Sequence, residues 1–166
     1  MMKRSSLYFI WFLALAVVVL DQFTKLSIQQ YWDQRGLIQG DEVPVIPYCL
    51  NLTLTFNRGI AFGLFKELPE IWRHIVINGA TLAALVMIVY FLKNHYKGDL
   101  IAYGSMSLIV GGAIGNVIDR FWYGQVVDFI DVYYDIWHWP AFNVADSAIC
   151  VGVFILLFRP TKKEQL

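Results

Sequence analysis

The dominant pattern along the chain is four long apolar stretches separated by shorter polar segments. A helix that crosses a hydrocarbon core of about 30 Å needs about 20 mostly apolar residues. The first stretch is unbroken from Leu7 to Leu20 and continues through Asp21. The pattern predicts four transmembrane helices, over residues of about 7–28, 71–92, 100–118 and 143–158.

The first stretch has a second interpretation. Lys3 and Arg4 followed by an apolar run also fit a cleavable signal peptide. No small-x-small cleavage site follows Leu20, because the chain continues with Asp21 and Gln22. We therefore expect a retained helix.

The segments between the helices predict a small β element. Residues 43–47 and 50–56 are expected to be strands, since the second alternates apolar and polar residues with period 2. Residues 59–65 are expected to form a short helix on the membrane surface. The two outer loops are placed at about 30–70 and 119–142. The predicted fold is a membrane all-α protein with a small β element, in a single integral-membrane domain spanning residues 1–166.

Composition agrees with this class and excludes others. Apolar residues make up 58% of the 166 residues and charged residues only 16%, whereas soluble domains average about 45–50% and about 25%. Thirteen basic residues balance thirteen acidic ones, so no net charge attracts nucleic acid. Cys49 and Cys150 lie far apart in unlike contexts, which argues against a disulfide framework.

The distribution of Lys and Arg predicts the orientation in the membrane. Short cytoplasmic segments are typically rich in basic residues. Such residues cluster at both ends of the chain and between the second and third helices, at Lys3, Arg4, Lys93, Lys97, Arg159, Lys162 and Lys163. Both termini are therefore expected in the cytoplasm, and the two long loops outside.

Asp21 and Lys25 are charged residues within the first apolar stretch. They are four positions apart, so they share a helix face and can pair. One interpretation is an ion pair that orients the helix end, with Lys25 reaching to the interface. The other is that the pair supports a nearby site, because charges within membrane helices are costly and are functional candidates.

The end of the third stretch combines glycines with polar residues. Gly112 and its neighbours allow close helix packing, and Arg120 suits a helix C-terminus. Packing does not explain Asn116 so near hydrocarbon, or Asp119 at the negative end of a helix dipole. These two residues therefore remain candidates for a site.

Asp128 and Asp146 are the candidates for chemistry. Asn143 is a good N-cap for the fourth helix, and the helix N-terminus favours an ionised Asp146. Asp128 lies in an apolar, strand-like stretch, where burial and a second carboxylate would raise its pKa. One protonated and one ionised carboxylate can activate water for peptide hydrolysis.

Other chemistries have little support. His74, His95 and His138 are scattered without ligand spacing, so no metal and no cofactor is expected. From the residues alone, a membrane hydrolase and a small proton-coupled carrier both remain open, and a scaffold without chemistry is a third interpretation. A carrier usually needs ionisable groups near the bilayer midplane, whereas here they collect at the outer helix ends.

Five short motifs, in order along the chain, resemble the lipoprotein signal peptidases, also called signal peptidase II. The motifs are Asp21-Gln22 with Lys25, Asn57-Arg58-Gly59-Ile60-Ala61-Phe62-Gly63, Gly112-Ala113-Ile114-Gly115-Asn116-Val117-Ile118-Asp119-Arg120, Val127-Asp128-Phe129, and Phe142-Asn143-Val144-Ala145-Asp146-Ser147. One departure is Ile60, where many members have Ala, and it bears on substrate fit.

The resemblance implies an aspartic endopeptidase of the bacterial plasma membrane. Such enzymes have four transmembrane helices, a β-cradle and a surface helix. They cleave diacylglyceryl-modified prolipoproteins just before the lipidated cysteine, and globomycin inhibits them. Besides these substrates and inhibitors, membrane lipids are the expected partners, and we expect a monomer. The catalytic pair carries over to Asp128 and Asp146. The supporting positions carry over to Asp21, Lys25, Asn57, Gly112, Asn116, Asp119, Arg120, Asn143 and Ala145.

Overall fold

The structure is a computed structural model that describes residues 4–59, 67–96 and 98–160, with the backbone alone for residues 4–7, 92 and 93. Within this part the chain is mostly helical, with four helices and one sheet. The elements in chain order are α1 (Arg4–Arg35), β1 (Glu42–Ile46), β2 (Leu50–Asn57), α2 (Glu70–His95), α3 (Leu100–Tyr123), β3 (Val126–Tyr134), β4 (Trp137–His138) and α4 (Val144–Leu157). The expected surface helix and Ile60 fall on residues 60–66, which lie outside the described residues.

Three of the four described helices are long and apolar enough to cross a membrane: Tyr8–Arg35 within α1, Glu70–Phe91 within α2, and α3. The fourth, α4, is a shorter apolar helix of 14 residues. At 1.5 Å per residue it is about 21 Å long, less than the hydrocarbon thickness. Large apolar side chains such as Phe12, Phe23 and Met87 are exposed, which suits contact with lipid tails.

Helix α3 lies between α1 and α4, and small residues allow the close contacts. A side-chain carbon at Gly111 would meet the Ala14 carbonyl oxygen at 2.7 Å, on the α1 side. One at Gly112 would collide with the backbone of Ala145 in α4. On α1, the residues that face the bundle recur at helical spacing, namely Ala14, Val17, Asp21, Lys25, Ile28 and Trp32.

The four strands form one antiparallel sheet in the order β1-β2-β3-β4. Its inner face packs on the end of α1. There Trp32 is fully buried and contacts a cluster that includes Leu54, Val127 and Phe129. The sheet is thereby fixed to the same end of the helices that carries their polar residues.

Several predicted boundaries need correction. Helix α1 runs to Arg35 instead of ending near residue 28, because Trp32 packs under the sheet. Helix α3 runs to Tyr123 instead of residue 118, so Asp119 and Arg120 are helical. It ends at Gly124, whose φ of 69° is left-handed and favours glycine. The second predicted loop contains β3 and β4, while β1 and β2 are close to the predicted strands.

The close contact at Gly112 gives a test of the packing. Gly112→Ala should lower the stability by about 1–3 kcal/mol, because the added carbon has no space against Ala145. Gly104→Ala on the same helix is the matched control, since nothing lies within 4 Å of its added carbon. Thermal unfolding of both purified variants in detergent measures the difference. Equal melting temperatures would contradict the packing of α3 against α4.

Candidate active site

A cleft of about 600 Å³ lies at the sheet end of the helices, and Asp128 and Asp146 both line it. Helix α3, helix α4, strand β3 and the segment before α4 form most of its wall. The lining residues are Asn57, Thr81, Ala113, Asn116, Arg120, Val126, Asp128, Trp139, Pro140, Ala141, Phe142, Asp146, Ser147, Ile149, Cys150 and Val151.

Asp128 is presented by β3, whose neighbour β2 places Thr55 opposite it. Its side chain is 2% exposed. Asn143 Nδ2 donates to Asp128 Oδ1 at 2.7 Å, and Asn57 Nδ2 donates to Asp128 Oδ2 at 3.2 Å. Two neutral amides from different parts of the chain therefore fix this carboxyl group in the cleft.

Asp146 is the third residue of α4 and takes part in its capping box. Its backbone N–H donates to Asn143 Oδ1 at 2.9 Å, and the Asn143 N–H donates back to Asp146 Oδ2 at 3.3 Å. Asn116 Nδ2 donates to the other carboxyl oxygen at 2.8 Å. The predicted N-cap is confirmed, and it has a second effect, since Asn143 contacts both aspartates.

The two carboxyl groups affect each other electrostatically. Burial and, second, the negative charge of Asp146 together raise the pKa of Asp128 to about 7, although the amides of Asn57 and Asn143 oppose the rise. Near neutral pH, Asp128 can therefore hold a proton beside a second carboxyl group. Such coupled groups titrate as a pair.

Lys25 is buried beneath this pair, with 2% of the side chain exposed. Its ammonium group lies 2.8 Å from Asp21 Oδ2 and 2.8 Å from Asp119 Oδ2. It also donates to Asn116 Oδ1 at 3.1 Å. The interpretation in which Lys25 reaches to the interface is wrong, because its partners on α3 hold it inside the bundle.

Asn116 connects the buried ion pairs to the cleft. Its Oδ1 accepts from Lys25 and from Asn143 Nδ2 at 3.2 Å, while its Nδ2 donates to Asp146. Its carbonyl oxygen accepts from Arg120 Nη1 at 3.3 Å. With donors on one side and an acceptor on the other, the amide has one orientation that satisfies all its partners.

The remaining predicted positions, Asp21, Ala145, Gly112 and Asp119, join the helices around the network. Asp21 Oδ1 accepts from the backbone N–H of Ala145 at 2.9 Å, and Gly112 lies against the same residue. Asp119 Oδ2 accepts from the Val127 N–H at 3.0 Å, which attaches β3 to α3. Every predicted site residue thus belongs to one connected region.

Gln22 belongs to the network but is absent from the predicted set. Its Nε2 donates to Asp119 Oδ1 at 2.9 Å and to the Gly115 carbonyl oxygen at 3.1 Å. The sequence feature that could have indicated Gln22 is an uncharged polar residue next to Asp21 in an apolar helix. Its partners on α3 are distant in sequence, so local spacing could not identify them.

Comparisons with known proteins agree with the motifs. A family model described as signal peptidase (SPase) II matches residues 13–161. The chain is 41% identical to a lipoprotein signal peptidase of Polynucleobacter necessarius subsp. necessarius (strain STIR1), over 98% of this chain and 95% of the relative. It is 36% identical to one of Syntrophus aciditrophicus (strain SB), over 99% and 98%. A bacterial membrane enzyme solved in meso at 1.9 Å resolution aligns with a TM-score of 0.65 and 36% identity, covering 88% of each chain.

The double role of Asn143 gives a prediction. Asn143→Ala removes an N-cap and should cost about 1 kcal/mol of stability. Peptide-bond hydrolysis should fall far more than that loss explains, because Asp128 loses its 2.7 Å donor. Melting temperature and turnover of the purified variant measure the two effects.

Asp99→Ala is the matched control for Asn143→Ala. Asp99 is the N-cap of α3, where it accepts from the N–H groups of Ile101 and Ala102 and pairs with Arg159 at 3.0 Å. Its loss should lower stability while turnover persists. Equal losses of turnover in the two variants would show that the cap at Asn143 has no special connection with the aspartates.

Proposed function

Because the chain belongs to the signal peptidase II family and is a lipoprotein signal peptidase, we propose that Asp128 and Asp146 are its catalytic aspartates. The observation that carries this proposal is that one residue, Asn143, bonds both carboxyl groups in one cleft: its side-chain amide donates to Asp128, and its backbone N–H donates to Asp146. Family membership makes the protein an aspartic peptidase acting on prolipoproteins, and it replaces the carrier and scaffold interpretations.

The proposed reaction is hydrolysis by a water held between the two carboxyl groups. Asp146, whose carboxyl group accepts hydrogen bonds from the Asn116 amide and the Asn143 N–H, acts as the base that takes a proton from the water. Asp128 holds the shared proton and donates a hydrogen bond to the scissile carbonyl oxygen. This bond stabilises the negative charge that develops on the oxygen. The resulting tetrahedral intermediate collapses as the C–N bond breaks, and the proton taken up by Asp146 passes to the leaving amine. No covalent enzyme intermediate is required.

The supporting residues act in two groups. Asn57, Asn116 and Asn143 hold the carboxyl groups in place with neutral amide donors, which add no positive charge beside them. Lys25, paired with Asp21 and Asp119, holds Asn116 in its orientation. The close contact of Gly112 with Ala145 keeps α4 near α3. Arg120 lines the cleft, where its guanidinium can bind peptide carbonyl groups of the substrate.

We propose that the substrate is presented from the membrane. The diacylglyceryl chains of the prolipoprotein remain among lipid tails, and the modified cysteine is thereby fixed at the depth of the cleft. Membrane anchoring meets part of the entropic cost of alignment. The cleft wall is largely apolar, with Phe142, Ile149 and Val151, which suits the lipobox and a globomycin-type cyclic peptide. We further propose a monomer without a metal or cofactor.

We also propose one peptidase domain over residues 1–166, with α4 as a fourth crossing helix and the sheet as an extracytoplasmic cradle. The distribution of charged residues between the two ends of the helices supports this orientation in the inner membrane. The sheet end carries acidic residues such as Asp41 and Glu42, while basic residues flank the opposite helix ends, as at Arg159.

Reporter fusions test the orientation. Fusions at Asn94 and Leu166 should report a cytoplasmic location, and a fusion near Gly40 an external one. Alkaline phosphatase and green fluorescent protein give opposite signals for the two sides, so each position is its own control. An external signal at Leu166 would refute the arrangement of four crossing helices.

The catalytic pair is tested by two isosteric changes. Asp128→Asn and Asp146→Asn should each lower turnover at least about 100-fold, because neither variant can share a proton between two carboxyl groups. Cleavage of a purified diacylated prolipoprotein, followed by gel shift, is the measurement. Asp33→Asn is the control, since it removes an exposed carboxyl group at the end of α1. Normal turnover in either dyad variant would refute the assignment.

The pH dependence tests whether the reaction needs one protonated and one ionised carboxyl group. Because the pKa of Asp128 is raised to about 7, turnover should fall as the pH rises through that value and Asp128 loses its proton. It should fall again in acid, when Asp146 becomes protonated. Turnover that increases steadily with pH above 7 would show that the reaction does not need a protonated carboxyl group.

A further inference from the structure

One wall of the cleft is a short segment between β4 and α4. Trp139, Pro140, Ala141 and Phe142 all line the cleft there. At its far end, Phe142 exchanges backbone hydrogen bonds with Ile130 at 2.9 and 3.1 Å. At its near end it follows β4, which has only two residues. The position of the wall at this end therefore depends in part on what holds β4.

His138 is the residue of β4 next to this wall, and it bonds a buried carboxylate. Its Nδ1 lies 3.0 Å from both carboxyl oxygens of Asp131. The imidazole also stacks on the Tyr133 ring, with centroids 5.2 Å apart and planes 14° from parallel. The next residue, Trp139, donates its N–H to the Val132 carbonyl oxygen at 2.8 Å.

Asp131 is a rigid anchor for His138. It is 5% exposed on β3 and lies directly opposite Asn51 of β2. Asn51 Nδ2 donates to Asp131 Oδ2 at 3.1 Å and to Glu42 Oε2 at 3.1 Å. Residues from three strands thus take part in holding the carboxylate. The bond from His138 to this carboxylate therefore attaches β4, and the wall that follows it, to the rest of the sheet.

We propose that His138 is a positioning residue for signal-peptide cleavage, which holds the wall formed by residues 139–142 in place through its bond to Asp131. The inference rests on the proposed function, because it takes this cleft as the place where the substrate binds. The segment presents two aromatic rings and one proline to the cleft, and these are surfaces against which an extended peptide can pack.

Substitution of His138 should affect the reaction differently from substitution of Asp128 or Asp146. Asp128 and Asp146 are held by Asn57, Asn116 and Asn143, and His138 contacts none of these. Loosening the wall should therefore weaken substrate binding and leave the chemical step intact. The Michaelis constant should rise, and kcat should change little.

Charge makes the bond sensitive to pH. The groups that face His138 are Asp131 and Tyr133 from β3 and Glu42 from β1. The hydrogen bond to Asp131 raises the pKa of His138, partial removal from solvent opposes the rise, and the charges of Asp131 and Glu42 add to it. The charged form, and with it the ion pair, is present below this raised pKa and is lost as the pH rises through it.

The experiment compares His138→Ala with His138→Asn in the full-length protein, using a diacylated prolipoprotein. An asparagine amide can occupy the position of Nδ1 and donate to Asp131, but it does not titrate. We expect His138→Ala to raise KM about fivefold, the effect of one lost hydrogen bond, with kcat within about twofold of wild type. His138→Asn should recover most of the affinity.

Measurements over a range of pH separate the effect of the His138 charge from that of the hydrogen bond alone. As the pH rises from 6 to 9, KM of the wild type should rise relative to that of His138→Asn at each pH. His95→Asn is the matched histidine control, because His95 is the last residue of α2, its ring lies tilted against Phe91, and neither residue lines the cleft. It should behave as the wild type throughout.

Three outcomes would overturn the positioning role. They are an unchanged KM in His138→Ala, a loss of kcat as large as that of Asp128→Asn, or a KM ratio between wild type and His138→Asn that is constant with pH. If His138→Ala does not fold, the last comparison still decides. Full turnover in Asp128→Asn would instead refute the proposed function, whatever His138 does.

Discussion

A lysine almost completely removed from solvent is the constraint on which the helix arrangement depends. Moving a charge into the protein interior costs several kcal/mol per ion, and only good geometry with full hydrogen bonding offsets this. Lys25 meets that condition because Asp21 lies 2.8 Å away on its own helix and Asp119 lies 2.8 Å away on α3. Shifting α1 by one turn along α3 would leave these charges unpaired, so the ion pairs fix the relative depth of the two helices.

Two sets of hydrogen bonds connect the ion pairs of Lys25 to the cleft. Lys25 occupies the carbonyl side of the Asn116 amide, which leaves its amino group to hold Asp146. Asp119, the other partner of Lys25, accepts from the Val127 N–H next to Asp128. Helix α4 and strand β3 are thus positioned by opposite sides of one charged network. This explains why costly polar residues collect at a single depth in an otherwise apolar chain.

Features encoded locally were predictable from the sequence. The helices follow from apolar length, the pairing of Asp21 with Lys25 from a spacing of four, and the Asn143 cap from residue preference. Features that depend on distant partners were not. The pairing of Lys25 with Asp119, the role of Gln22, and the extension of α1 under the sheet by Trp32 all require contacts between remote segments. The family motifs predicted residues that lie together around the cleft, but not the bonds between them.

The choice of asparagine around the aspartates has a physical reason. A cation in direct contact with Asp128 would stabilise its ionised form and lower its pKa, so the acid could not keep a proton near neutral pH. Here the direct donors to Asp128 are the amides of Asn57 and Asn143. Lys25 donates to Asn116, and its charge lowers the pKa of Asp128 less than those amides do. The buried cation can therefore order the site without removing the proton that aspartic hydrolysis requires.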